Sequence, residues 1–461
     1  MQRDYYSFRC EEMNGILDKI EQLIIEQEQA REEKKKDAQK RAVGEVAREA
    51  KSAVGIEPHL AYLWFSARKG EADEADNKPL AKRASEAAAL IRSAWQNRLA
   101  SSIQPIPDAF RFVPDVENQV LDYLPLLSFI IHIPFRLSKP YISRDDCEFY
   151  ILENPVKKEW VFKVPYIAPS QWKGALRSAM MQELVTELYA VGDEKVFFQK
   201  RLQLYRIFGH EKDGTAKYLN GVLALRRVGL QPQNGGEERE EWRKQFEEEL
   251  QKVEAEFDAT LCEQGYRIGD IEGFQGRTHF FPTFFDKIGL EVINPHDRES
   301  GAGSQPIYFE CVPQGTPGTF VLMYVPRNSN DDAKQRQEVA EDLETLARGV
   351  CAMLTTYGFG AKTSSGYGVA EDKLANTGMF AIRAALPGIT TPAVSGTKPM
   401  SKPDLSCYEG KGVQEEGAAQ PERESVLQEI IPVVKRTFGT LSELQAVVQE
   451  VADALRKEEE A

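Results

Sequence analysis

Long apolar runs, paired cysteines and histidines are all scarce in this 461-residue chain, and each scarcity removes a class of protein. No run of roughly eighteen apolar residues occurs, so nothing in the sequence suits a membrane-spanning helix. The six cysteines, Cys10, Cys147, Cys262, Cys311, Cys351 and Cys407, form no CxxC spacing. Neither a zinc site nor a disulfide framework is expected, and reduced thiols in or near the core are. The five histidines, His59, His132, His210, His279 and His296, contain no pair at metal-ligand spacing. The opening MQRDYYSFRCEEMNG has no apolar centre of the kind a signal peptide carries, which points to the cytoplasm. Positive charge is lacking overall. The net charge is −14, which taken whole argues against a nucleic-acid binder.

That total hides an uneven distribution. Residues 237–258 hold ten acids against four bases, whereas residues 128–230 hold sixteen bases against eleven acids. A basic centre with acidic appendages fits the numbers better than a uniformly acidic protein.

Periodicity divides the chain accordingly. Residues 1–120 read as a helical extension. Met13, Ile16, Leu17, Ile20, Leu23 and Ile24 recur at helical spacing, and an alanine-rich helix covers about 80–100. The pattern becomes strand-like at Leu126-Leu-Ser-Phe-Ile-Ile-His-Ile-Pro-Phe-Arg-Leu137. Leu176, Met180, Leu184 and Leu188 form one apolar stripe on a helix over 171–190. An acidic helical insertion is expected at about 232–270. Strand signals follow at 276–293 and 307–325. A helix follows at 331–357, with Val339, Leu343, Leu346, Val350 and Met353 on one face. Residues 388–440 read as a flexible linker or loop and 441–461 as an amphipathic C-terminal helix. From 121 to 387 the order is strand, helix, strands, helix, strand. That is the split βαβ arrangement of an α+β, ferredoxin-like (RRM-like) core.

Two motifs carry the chemistry. Gly358-Phe-Gly-Ala-Lys-Thr-Ser-Ser-Gly-Tyr-Gly368 places Gly358, Gly360, Gly366 and Gly368 within eleven residues. Such a loop can expose backbone N–H groups to a phosphate, with Lys362 adding a cation and Thr363, Ser364 and Ser365 adding hydroxyls. Ala361 before Lys362 excludes a Walker A loop, and the preceding helix excludes a dinucleotide fingerprint. A plain surface turn satisfies the same residues. In the second motif, Pro165 to Arg177, Ser170 is the expected N-cap. Lys173 and Arg177 share a helix face near its N-terminus, where an anion would satisfy both. Two cations pointing into water are an equally simple reading.

The two motifs in this order resemble the RAMP superfamily of CRISPR-associated proteins. The family's first helix typically opens with a segment like Pro-Gly-Ser-Ser-Leu-Lys-Gly-Ala-Leu-Arg. Here Ala168-Pro-Ser-Gln-Trp-Lys-Gly-Ala-Leu-Arg177 stands there. The family's late glycine-rich loop matches 358–368. Leu204-Tyr-Arg-Ile-Phe-Gly209 resembles its Leu-Phe-Gly segment. Gly289-Leu-Glu-Val-Ile-Asn-Pro-His296 with Pro306-Ile-Tyr-Phe looks like a stretch of the terminal Cmr-type backbone subunit. The resemblance spans about 126–375 and implies an RNA-binding backbone subunit of a type III CRISPR effector complex. Such a subunit has guide RNA, target RNA, other RAMP-type subunits and the large subunit as partners, and no membrane. It implies RNA contacts by Ser170, Lys173, Arg177, Gly358, Gly360, Lys362, Thr363, Ser364, Gly366 and Gly368. Trp172 or Tyr367 is a candidate for base stacking and equally for the core, and Arg226 and Arg227 form a basic pair that suits an RNA contact or, more simply, a solvated surface.

Three alternatives stay open. Some RAMP subunits cut RNA with an Asp before the first helix. Here Glu153 holds that place in Tyr150-Ile-Leu-Glu-Asn-Pro-Val156, with Asp145 and Asp146 upstream. No cofactor is needed for binding, but cutting would need a divalent metal such as Mg²⁺. The related RNA-processing endonucleases use a histidine, for which none of the five here has an obvious partner. A protein–protein adaptor would suit the acidic total and the long helices.

Overall fold

A computed structural model describes residues 5–32, parts of 45–75, 78–99, 106, 120–145, 151–211, 213–232, 236–266, 274–294, 306–327, 331–386 and 433–457. Two N-terminal helices, α1 (Tyr5–Glu32) and α2 (Lys78–Leu99), lead to strand β1 (Phe129–Arg136). After the short β2 (Tyr166–Ile167) come four helices, α3 (Pro169–Val191), α4 (Glu194–Phe208), α5 (Asp213–Val228) and α6 (Glu237–Glu263). Five strands follow, β3 (Thr278–Phe280), β4 (Thr283–Phe284), β5 (Gly289–Ile293), β6 (Ile307–Cys311) and β7 (Pro317–Tyr324). The chain then forms α7 (Asp332–Ala352), β8 (Lys373–Arg383), β9 (Val433–Thr440) and α8 (Leu441–Arg456).

The main sheet has the order β3-β7-β1-β8-β9, and every neighbouring pair is antiparallel. With β3 and β7 as the second and third strands and β8 as the fourth, the order 4-1-3-2 is that of the expected α+β ferredoxin-like core. β1 is central, in register with β7 from Phe129↔Tyr324 to Arg136↔Pro317. Its side chains alternate as a buried strand requires. Phe129, Ile131, Ile133 and Phe135 join the large core beneath the helices, while Ile130 joins a smaller cluster with Leu121, Val321 and Ala381 on the reverse face.

Helix ends are fixed locally. Pro169 opens α3 at a position where a missing N–H costs nothing, and Gln171 Oε1 accepts from Ala168 N–H at 2.9 Å. The helix closes on Gly192 at φ +81, whose N–H reaches Leu188 O at 3.0 Å. Asp193 caps α4 by accepting from Lys195 N–H at 2.8 Å, and Asp331 caps α7 by accepting from Lys334 N–H at 3.0 Å.

A buried ionic network pins α4 to α7 and to β7. The Asp342 carboxylate, wholly buried, accepts from Arg206 Nε and Nη2 at 3.0 and 2.5 Å, Tyr324 Oη at 2.6 Å and Gln203 Nε2 at 3.1 Å. Arg277 Nη1 donates to Tyr324 Oη at 3.1 Å, and its Nη2 donates to Glu338 at 2.7 Å. Burial and Asp342 together push the Tyr324 hydroxyl well above its ordinary pKa, so it stays a donor. A second link joins the N-terminal helices to the core. Trp95 of α2 donates to Glu310 of β6 at 2.9 Å, and Glu310 pairs with Lys158, both charges being buried.

Three sequence expectations need correction. Residues 433–440 are strand β9 rather than the end of a linker. Val434 and Phe438 face the core, opposite Ile382 and Gly378. The rest of that expected linker, 388–432, lies outside the described residues. Helix α3 starts at Pro169 with Ala168 as its cap residue, so Ser170 is an exposed first-turn residue and not the N-cap. Helices α4 and α5 went unread.

Candidate nucleic-acid interface

The two phosphate-friendly segments meet at one end of the sheet, where β1 finishes and β8 begins. Trp172, in the first turn of α3, is fully buried. Its indole donates to Thr283 Oγ1 at 3.0 Å, and its rings contact Phe320 at 5.0 Å and Phe359 at 4.7 Å between centroids. Phe359 is the second residue of the glycine loop, so one aromatic contact couples helix start and loop. Burial of such a side chain is worth roughly 1.5–3 kcal/mol. Trp172 therefore cannot stack on a base.

Lys173 is half-buried next to it. Its ammonium lies near His279 of β3. Burial first, and Lys173 second, hold that imidazole below its ordinary pKa. Arg177, one turn on, is engaged at the end of α4. Its Nη2 lies 3.4 Å from Phe208 O, and its guanidinium sits 5.4 Å from the Phe208 ring centre. Burial pulls its pKa down, and Glu211 partly restores it.

The glycine loop is less open than the sequence implied. A π-helical turn, Met353–Tyr357, delivers Gly358 at φ +75, and its N–H returns to Met353 O at 2.9 Å. Phe359 N–H donates to Gly368 O at 2.8 Å, Ala361 N–H to Ile142 O at 2.7 Å and Gly368 N–H to Pro140 O at 2.8 Å. Ser365 and Gly366 bond back to Lys362 and Thr363. These donors are spent inside the protein, so the expected backbone cradle shrinks to the tip. A Cβ at Gly360 would fall 2.5 Å from Ile142 O, and one at Gly368 1.9 Å from Phe359 O. Gly360 lets the loop dock on the segment after β1, and Gly368 lets the loop close on Phe359. At the tip, Lys362 (φ +58) and Ser364 are exposed and Thr363 is half-buried. The Lys362 ammonium sits 5.1 Å from the Phe309 ring centre. Tyr367 is half-buried, donating to Glu291 at 3.1 Å.

The remaining candidates separate from this end. Glu153 is exposed in a turn, and Asp145 accepts from Lys158 N–H at 3.3 Å, a structural bond. Asp146 lies outside the described residues, as do Pro295 and His296 of the Asn-Pro-His stretch. Among the described residues no three His, Cys, Asp or Glu side chains gather to hold a metal. The Arg226–Arg227 pair is committed internally rather than solvated. Arg226 donates to Leu188 O at 2.6 Å and Gly192 O at 3.2 Å, completing the end of α3. Arg227 pairs with Glu194 at 2.7 Å and Glu256 at 2.9 Å. Of the described thiols, Cys262 is exposed, while burial pushes Cys311 up to about 12 and Cys351 to about 11. No helix among the described residues is long and apolar enough to cross a membrane.

Sequence reasoning missed the buried Lys158–Glu310 pair. Its only trace was a carboxylate inside the apolar run Ile307-Tyr-Phe-Glu-Cys-Val312. It also missed the exposed turn at Trp160.

Comparison with known proteins finds one family model and several solved structures similar to this chain. No curated protein matches the chain. A type III-B Cmr-beta complex bound to cognate target RNA superposes with a TM-score of 0.38 at 14% identity, covering 70% of this chain and 89% of that one. Cmr6 from Pyrococcus furiosus gives 0.25 at 18% identity, covering 54% and 100%. A CRISPR RNA-guided surveillance complex gives 0.31 at 12%, covering 71% and 99%. The RAMP superfamily model spans residues 148–371, from the loop after β1 through the glycine loop, and so takes in both segments that Trp172 and Phe359 bring together. Residues 148–371 of this chain match the RAMP superfamily model.

Proposed function

We propose that the chain is an RNA-binding backbone subunit of a type III CRISPR-Cas effector complex, holding guide RNA and the guide–target duplex in antiviral defence. The observation that carries this reading is the Trp172–Phe359 contact, which fixes the first turn of α3 against the glycine loop inside the stretch that matches the RAMP superfamily model. Lys173 and Lys362 neutralise phosphates, and the hydroxyls of Ser170, Thr363 and Ser364 add polar contacts. Contacts of this kind set register without reading sequence, which is left to guide–target pairing. Arg177, held at Phe208, supports the helix face and carries little of the ionic load. The acidic α6 keeps polyanions off its own side of the molecule. Other RAMP-type and large subunits are the expected protein partners, and holding RNA this way needs no cofactor. No observation favours a cutting role for Glu153 with Mg²⁺.

The reading is tested by the salt dependence of RNA binding. Replacing Lys173 and Lys362 together with Ala removes two phosphate contacts, so the slope of log K against log salt should flatten by about 1.4 for single-stranded RNA. An unchanged slope with unchanged affinity rules both lysines out of the interface.

A further inference from the structure

Residues 159–163 form an ordered turn that presents apolar surface to solvent. Trp160 is 79% exposed, Val161 69% and Phe162 50%. Three such residues in succession are unusual on a soluble surface. The turn is closed by Lys163 N–H to Glu159 O at 3.0 Å and Glu159 N–H to Val164 O at 2.8 Å. The Glu159 carboxylate accepts from the N–H groups of Val161 and Phe162 at 2.9 and 2.7 Å. The rings are therefore held out by design of the backbone. Lys163 adopts φ +56, a conformation that glycine takes without strain, and its ammonium sits 5.6 Å from the Trp160 ring centre.

We infer that the Trp160–Lys163 turn is a base-stacking platform for single-stranded RNA. The Trp160 ring takes a nucleobase, and Lys163 takes the adjoining phosphate. The inference rests on the RNA-binding reading and adds a contact outside the glycine loop. Charge decides between RNA and a protein partner. Lys158 is neutralised by Glu310, and Lys157 and Lys163 outweigh the Glu159 carboxylate, so the turn keeps one net positive charge. An apolar protein pocket that took in Trp160 would have to desolvate the ammonium lying over it. A polyanion with π-faces satisfies ring and cation together. The turn also leads through β2 into α3, whose start carries Lys173.

The test uses the full chain and a fluorescein-labelled short oligouridylate, read by anisotropy across a salt series. Trp160→Ala should weaken binding roughly 5- to 100-fold with the salt slope unchanged, and Trp160→Phe should keep most of the affinity. Lys163→Ala should flatten the slope by about 0.7. Trp160 is exposed, so an unchanged melting temperature is expected to accompany the loss. If wild type binds and Trp160→Ala binds equally well, the platform is refuted while the RNA-binding reading stands. If wild type fails to bind even at low salt, the RNA-binding reading itself falls. If Trp160→Ala leaves RNA affinity intact but abolishes self-association in sedimentation, the turn is a protein contact and the inference is overturned.

Discussion

Replacing Asp342 with Ala should destabilise the protein by about 3–5 kcal/mol, a large share of a domain's net stability. The carboxylate is the acceptor for Arg206, Tyr324 and Gln203 at once, with Arg277 Nη1 at 3.6 Å. Its removal strands a buried guanidinium and a buried hydroxyl. Glu338, already paired with Arg277, and the more exposed Glu341 stand 4.0 and 3.8 Å from Arg206, too far to replace the lost hydrogen bonds. Asp342→Asn should also be costly, because an amide cannot neutralise the adjacent cations. Urea denaturation measures both variants. A midpoint close to wild type for Asp342→Ala would mean that the network contributes nothing net.

The second large effect is expected at the glycine loop. At Gly368 an added Cβ meets Phe359 O at 1.9 Å and the residue sits at φ +66, so Gly368→Ala suffers both a backbone clash and left-handed strain. A loss of more than about 2 kcal/mol should follow, with weakened RNA binding because Phe359 can no longer hold the loop to Trp172. Gly366 is the matched control. It has φ +82 but no heavy atom within 4 Å of its virtual Cβ, so Gly366→Ala should cost only about 1 kcal/mol and leave RNA binding nearly intact. Thermal melting and RNA anisotropy on both variants decide the matter. Damage confined to Gly366→Ala would mean that the glycines serve ligand approach rather than loop docking.

The sheet was legible because the apolar, β-rich runs of β1 and β7 and the stripe on α3 are local signals. The stripe in fact begins one turn earlier, since 172, 176, 180, 184 and 188 are four apart and all are buried. Spacing thus already put Trp172 in the core, although its residue type suggested a stacking role. Helix α4 escaped because its inward face carries Arg201 and Arg206, whose charges break the apolar pattern. The partner of Arg206, Asp342, becomes visible only once distant segments are folded together, and Glu211, the partner of Arg201, lies just past the end of the helix. The cap at Ser170 failed for a related reason. Pro169 at the first helical position and the Gln171 amide had already fixed the start. Strand β9 follows a long stretch rich in Pro, Gly, Ser and Thr and has Lys435, Arg436 and Thr437 at its middle, so Val433-Val-Lys-Arg-Thr-Phe438 was absorbed into that stretch. At the glycine loop, composition revealed the turn but not that its N–H groups bond to Ile142 and Pro140, residues more than two hundred positions away.

The position of β1 has a practical consequence for anyone trimming this chain. A fragment cut to residues 148–371 would keep β3 and β7 but discard the middle strand of the sheet together with β8 and β9. It would expose one long side of β7 and the apolar undersides of α3 and α7. Such a fragment should aggregate rather than behave as a miniature of the parent, and the smallest useful truncation must keep the chain from before Phe129 to beyond Arg456.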